Sequence, residues 1–301
     1  MRTWRAVLAV GLTLGLVTAG CGNDDDDAAD ETTTTAAAPK EPPVIEIHAA
    51  DEGPDGDEFK FSLPGKLSGG VVTLRLTNDG KERHDFQLAK SVPGHTLEEL
   101  LKQVGSEDAP LEQWVVAAGG IGGTAPGETN EATLDLEPGT YWYFCTESSG
   151  EGKDHKSHAT HGMSGELTLA DDSGAALPEK SGSITATEYS FATEGLKAGE
   201  NTITFGNDGK QVHHALLFPV AAGTTFDKAK EALLSDEEPA GPPPIDFEHI
   251  NSTAVIDPGQ RIVYTADLKA GTYVLACFMP DKGTAGPPHA VKGMMTEVKI
   301  A

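Results

Sequence analysis

Cysteine is scarce in this chain. There are three, Cys21, Cys145 and Cys277, in 301 residues; in an exported chain the last two invite a disulfide, but each holds the same place in its own copy of an internal repeat, which argues against one. Basic residues are few as well. Lys and Arg number 22 against 47 Asp and Glu, for a formal charge of −25. Such a chain does not suit nucleic acid or anionic lipid headgroups, and it does suit a cationic partner. Long apolar runs are missing except near the start, and that one is too short to span a bilayer. Helix-forming runs are confined to two short inserts. What the chain does have is 35 Gly and 19 Pro, the punctuation of a turn-rich fold.

Residues 1–20 have the form of an export signal. Arg2 and Arg5 precede an apolar run from Ala6 to Val17, and small residues follow. The ending Thr18-Ala19-Gly20-Cys21 resembles a bacterial lipobox, with Thr where Leu is usual. It implies cleavage before Cys21 and lipidation of that thiol, hence a protein anchored at the cell envelope. Residues 21–43 are acidic and rich in Thr, Ala and Pro, with no apolar period. They suit a disordered tether.

The rest of the chain reads as one unit used twice. Asn78-Asp79-Gly80-Lys81 with His84 matches Asn207-Asp208-Gly209-Lys210 with His213. LEPGTYWYFC, ending at Cys145, matches LKAGTYVLAC, ending at Cys277. HATHGM, from His158 to Met163, matches HAVKGM, from His289 to Met294. A unit this long is a whole domain and not a solenoid repeat. The expected domains are residues 44–171 and 181–301, on either side of a Gly/Pro/Ser/Asp linker.

Within each unit, short alternating segments are separated by Gly, Pro and Asp turns. VVTLRLTN, EATLDL, GTYWYFC and GELTLA do this in the first, and NTITFGN, RIVYTADL, GTYVLAC and TEVKI in the second. The pattern predicts an all-β protein of two tandem Greek-key β-sandwiches. One insert per unit has helical spacing, residues 95–105 and 224–238, with Thr96 and Thr224 or Thr225 as caps. These inserts are either lids on the sandwich end or exposed helices without a role.

Strand parity places Tyr141, Tyr143 and Cys145 on one face, and Tyr273, Leu275 and Cys277 likewise. Twelve residues separate Cys145 from His158 and eleven separate Cys277 from His289; four lie between each His and its Met. With His84 and His213 upstream, each unit offers two imidazoles, a thiolate and a thioether. A His₂Cys set with a weak Met is the blue-copper arrangement. His155 and His161 flank His158, His214 follows His213 toward the other face, and Met295 follows Met294. All four read as bystanders. His48, His95 and His249 have no partner pattern.

On these motifs both units resemble the cupredoxin family, the type 1 blue copper proteins. The resemblance implies copper held by His84, Cys145, His158 and Met163, and by His213, Cys277, His289 and Met294. It implies electron transfer with a redox partner, here a cationic one. Copper sequestration or delivery, or a metal-free sandwich, are the alternatives. Tandem cupredoxins also include multicopper oxidases and nitrite reductases, which link two kinds of copper through a His beside the ligand Cys. Cys145 lies between Phe144 and Thr146, and Cys277 between Ala276 and Phe278. The sequence therefore predicts a protein that is not an enzyme.

Overall fold

The computed structural model describes residues 40–52, 58–65, 67–104, 110–150, 156–235 and 241–301. The signal, Cys21, His155 and most of the tether lie outside them. The last tether residues run along the first half: Pro43 O accepts from Thr73 N–H at 3.0 Å, and Lys40 Nζ donates to Ser173 O. Among the described residues no helix is long and apolar enough to cross a membrane.

The first half holds β1 (Val44–Glu52), β2 (Glu58–Ser62), β3 (Leu67–Asn78), β4 (His84–Lys90), α1 (Leu97–Val104), β5 (Ala117–Thr124), β6 (Thr129–Leu136) and β7 (Gly139–Phe144). The two-residue strands β8 (Ser148–Ser149) and β9 (Lys156–Ser157) follow. A 3₁₀ turn over His158–His161 then leads into β10 (Ser164–Asp172). One layer is ordered β2-β1-β3-β6 and the other β10-β7-β4-β5, with β1 parallel to β3. The second half holds β11 (Gly182–Thr187), β12 (Ser190–Glu194), β13 (Gly199–Asn207), β14 (Leu216–Pro219), α2 (Phe226–Leu233), β15 (Asn251–Ser252), β16 (Arg261–Leu268), β17 (Gly271–Ala276) and β18 (Met295–Ile300). Its layers are β12-β11-β13-β16 and β15-β14-β17-β18, with β11 parallel to β13. The fold is all-β and cupredoxin-like.

One layer continues across the seam between the halves, and a single bridge joins the halves on the other side. β6 pairs antiparallel with β16 through Leu134↔Ile262, Thr133↔Val263 and Ala132↔Tyr264. In the other layer, Ala118 of β5 bridges to Ile256, and Gly119 N–H donates to Val255 O. β5 reads AAGGIGGT, a poor strand by propensity. The seam explains the glycines: a Cβ at Gly122 would lie 2.0 Å from Ser252 O. A side chain there would push the halves apart.

Strand parity holds. Tyr141 and Cys145 face the main core, as do Tyr273, Leu275 and Cys277. Trp142 and Phe144 face the other way, into a cluster with Leu100 of α1. Val274 and Ala276 pack toward Ala229 of α2. The helices are therefore neither end lids nor idle. They cover the outer faces of β7 and β17, whose backs are as apolar as their fronts.

Candidate metal centres

The Asn-Asp-Gly-Lys segment is a scaffold for the histidine that follows. Asn78 is fully buried. Its Nδ2 donates to Glu82 O (2.7 Å) and Thr124 O (2.8 Å), and its Oδ1 accepts from Gly80 N–H. Asn207 does the same with Gln211 O, Ile256 O and Gly209 N–H. These bonds close the turn and aim His84 and His213 inward. His84 begins β4 as the pattern implied. His213 lies outside any strand and is instead fixed by an isolated bridge to Ile256.

The Met is brought to the Cys by backbone pairing. Cys145 N–H donates to Met163 O at 3.0 Å, and Cys277 N–H to Met294 O at 3.3 Å. The four-residue gap from His to Met closes a turn, since Met163 N–H donates to His158 O and Met294 N–H to His289 O. All eight side chains are at most 1% exposed.

In the first half the donor atoms converge. His84 Nδ1 and His158 Nδ1 are 3.1 Å apart, and Cys145 Sγ lies 3.9 and 3.7 Å from them. In the second, His213 Nδ1 and His289 Nδ1 are 3.1 Å apart, with Cys277 Sγ at 3.7 and 3.5 Å. Three of the four outer nitrogens are hydrogen-bonded by groups the sequence did not single out, and the fourth, His213 Nε2, has no hydrogen-bond partner. His84 Nε2 is 2.7 Å from Asp51 Oδ1, and His158 Nε2 is 2.8 Å from Ser149 Oγ and 3.2 Å from Glu82 Oε2. His289 Nε2 is 3.0 Å from Asp281 Oδ1, while Glu188 Oε1 stands 3.6 Å from His213 Nε2. Asp51 and Glu188 are counterparts. Each carboxylate also accepts from the backbone of its own turn, at Lys81 and Glu82 or at Lys210 and Gln211. No spacing rule marks them, because they come from the distant first hairpin of each half.

These bonds set the tautomers. An Nε2–H that donates to a carboxylate leaves Nδ1 as a bare lone pair. In the first site two such lone pairs then face each other at 3.1 Å, beside a buried sulfur. A cation resolves that repulsion. Burial acts in the same sense. It pushes the Cys277 thiol up to about 12 and, with the Asp85 charge, raises Cys145 well above the ordinary range. Burial, with the neighbouring His289, lowers His213 to about 4; burial also lowers His158 and His289. Neutral imidazoles are ready ligands, and a buried thiolate forms once a metal replaces its proton.

The bystanders stand elsewhere. His161 is exposed, its Nδ1 2.9 Å from Ser157 O. His214 Nε2 accepts from Phe278 N–H at 2.8 Å, and Met295 packs on the α2 side. His95 stacks on Trp114, and His48 and His249 pair with Asp79 and Asp246. An exposed Asp246–Glu248–His249 cluster is a surface ion pair with a neighbour. Between the halves lies a cavity of about 380 Å³ lined by Asp85, Gln87, Thr146, His214, Val255 and Met279.

No family model matches the chain and no curated protein matches it. Among solved structures it is similar to auracyanin A, a "blue" copper protein of the green thermophilic photosynthetic bacterium Chloroflexus aurantiacus. The identity is 21% and the TM-score 0.30, over 42% of this chain and 99% of that one. It is similar to a multicopper oxidase at 14% identity and TM-score 0.24, over 86% of this chain and 88% of that one. It is also similar to the copper nitrite reductase of Nitrosomonas europaea at 15% identity and TM-score 0.25, over 87% and 94%. The last two are enzymes. They overturn the expectation that this chain is not one, since its structural neighbours include enzymes as well as carriers. The missing His beside each Cys bears on a single route to a second copper, and that is too narrow to exclude a whole class.

Two cupredoxin-like sandwiches, each around a buried His–Cys–His cluster with an adjoining Met, define the class. Copper is the ion that this donor set fits: sulfur favours Cu(I), imidazole suits Cu(II), and the buried cluster holds both.

Proposed function

We propose that the protein is an exported electron carrier, anchored at the cell envelope by a lipid on Cys21, with one type 1 copper in each half. His84, Cys145, His158 and Met163 would hold the first copper, and His213, Cys277, His289 and Met294 the second. The observation that carries this reading is the pair of buried clusters in which two imidazole Nδ1 atoms and one sulfur lie 3.1–3.9 Å apart. When bound, copper supplies a one-electron couple. The chain holds the donors in place, excludes water and fixes the tautomers through Asp51, Glu82 and Asp281. Little then has to rearrange between oxidation states. The excess of 47 acidic over 22 basic residues supports a cationic redox partner.

The test is titration of the full-length protein in detergent with Cu(II), followed in the visible, alongside Cys145→Ser and Cys277→Ser. The expected result is an intense thiolate-to-copper band that each variant halves, with rapid and reversible reduction. Absence of the band with the thiols still reactive would sink the carrier. Binding of Cu(I) alone would make the protein a copper store. Cys21→Ser is expected to release the protein from the membrane fraction.

A further inference from the structure

A buried polar path joins the two clusters across the seam. It begins at Asp85, which follows His84 in the chain. The Asp85 N–H points at Cys145 Sγ, 3.5 Å away. The Asp85 carboxylate accepts from Thr146 N–H at 2.6 Å, from the Thr146 hydroxyl, and from Gln87 Nε2 at 2.9 Å. Gln87 Oε1 then accepts from Val255 N–H at 3.0 Å, so a side chain of the first half bonds the backbone of the second. The next residue, Ile256, exchanges both backbone bonds with His213, at 3.0 and 3.1 Å. His213 belongs to the second cluster.

This path is costly to build without a reason. Asp85 and Gln87 are each 5% exposed. A buried carboxylate and amide are tolerated only when fully bonded, and apolar residues would close the seam more cheaply. The distance is short. Gln87 pairs with Gly120 on β5, Ala118 of β5 pairs with Ile256, and Ile256 pairs with His213. Three lateral steps of about 4.8 Å, with a two-residue offset along β5, put Gln87 roughly 16 Å from His213. Tunnelling through covalent and hydrogen bonds outruns tunnelling across a van der Waals gap of the same length.

Resting on the copper reading, we infer that the two sites exchange an electron through Asp85, Gln87, Val255 and Ile256, with Gln87 as the side-chain link across the seam. One electron leaves the reduced site and the oxidised site takes it up. No bond forms or breaks and no proton moves. The protein then holds two electrons that communicate, so a partner docked at either half can draw on both.

The experiment uses the full-length, copper-loaded protein, with both blue bands recorded first. A radiolytic pulse delivers less than one electron per molecule. Freeze-quenched EPR follows each site, with reference spectra from Cys145→Ser and Cys277→Ser. The expected result is a first-order redistribution between sites, independent of protein concentration. In Gln87→Leu a van der Waals gap replaces both bonds, and the rate falls roughly tenfold. Gln87→Met, unbranched and uncharged, gives the same result if the leucine variant fails to load copper. In the metal-free protein, the Val255 amide is protected from hydrogen exchange and loses that protection in Gln87→Leu. Equal rates in native and variant proteins, or no concentration-independent phase in the native one, would overturn the route. Absent blue bands would instead overturn the copper reading beneath it.

Discussion

Asp51 is the side chain on which the first site turns. It is 2% exposed, ties down the Asn78 turn and takes the Nε2–H of His84. Burial alone would raise its acidity range, but the Lys81 N–H and His84 outweigh that and hold it below the ordinary value. Asp51→Asn keeps the shape and removes the charge. It is expected to weaken copper binding in the first half by roughly ten- to a hundredfold. It should also raise that site's reduction potential, because a neutral neighbour favours Cu(I). Competition titration and spectroelectrochemistry on the two bands check both. At the second site, pH is the simpler lever. His213 titrates near 4 in the fold against 6.5 unfolded. Between those values the unfolded chain binds a proton that the folded one refuses, so stability falls as pH falls. From pH 7 to pH 5 the metal-free protein is expected to lose about 2 kcal/mol from this residue alone. Urea unfolding at the two pH values measures it, and His213→Gln should lose about that share of the dependence, leaving the part that His158, His214 and His289 contribute.

The turns between His and Met look alike in sequence and differ at the element scale. Gly162 and Gly293 both have positive φ, 114° and 103°. A Cβ at Gly162 would stand 2.2 Å from Phe59 O, whereas at Gly293 it would meet nothing. Gly293→Ala should therefore cost only the left-handed strain, about 1–2 kcal/mol, and keep its blue band. Gly162→Ala must displace β2 and is expected to lose the first band. Visible spectra of the two variants decide. The α1 helix begins with a reciprocal cap: Glu99 N–H donates to Thr96 Oγ1, and Thr96 N–H to Glu99 Oε2. Thr96→Ala is expected to cost about 1 kcal/mol, measured by urea unfolding. The sequence pointed to Thr96 and left Thr224 and Thr225 open. Thr225 caps α2, its side chain accepting from Lys228 N–H.

For the whole molecule, a sheet that runs through the seam implies shared stability. β6 cannot leave β16 without exposing Leu134 and Ile262, both about 2% exposed or less. The metal-free protein is expected to melt in one calorimetric transition. Copper in the first site alone, in Cys277→Ser, should raise that single Tm, with about 2.7 kcal/mol gained at a hundredfold excess over Kd. Two transitions, only one of them copper-sensitive, would show halves that fold apart.

Much of this was legible because it repeats locally. Alternation gave β3, β6, β7, β10, β13, β16, β17 and β18. The match of His84 with His213, Cys145 with Cys277 and His158 with His289 picked out the residues that the structure gathers into two clusters, with Met163 and Met294 tied by their backbone to the Cys. β5 was illegible, since its glycines answer to Ser252 and Ile256 on the far side of the seam and not to their own neighbours. Asp51 and Glu188 were illegible because they reach their histidines from the first hairpin of the same half, and Asp281 because no motif marks it within the loop between Cys277 and His289.

The sequence by itself determined the alternating strands, the thiol faces and the candidate donor set, because alternation and spacing act over a few residues. Tertiary structure alone decided which carboxylate holds which imidazole, that the helices back the Cys strands, and that the halves share a sheet. Those are contacts between residues up to about 170 positions apart, such as Gln87 with Val255, and only the closing of the chain on itself brings such groups within hydrogen-bond reach.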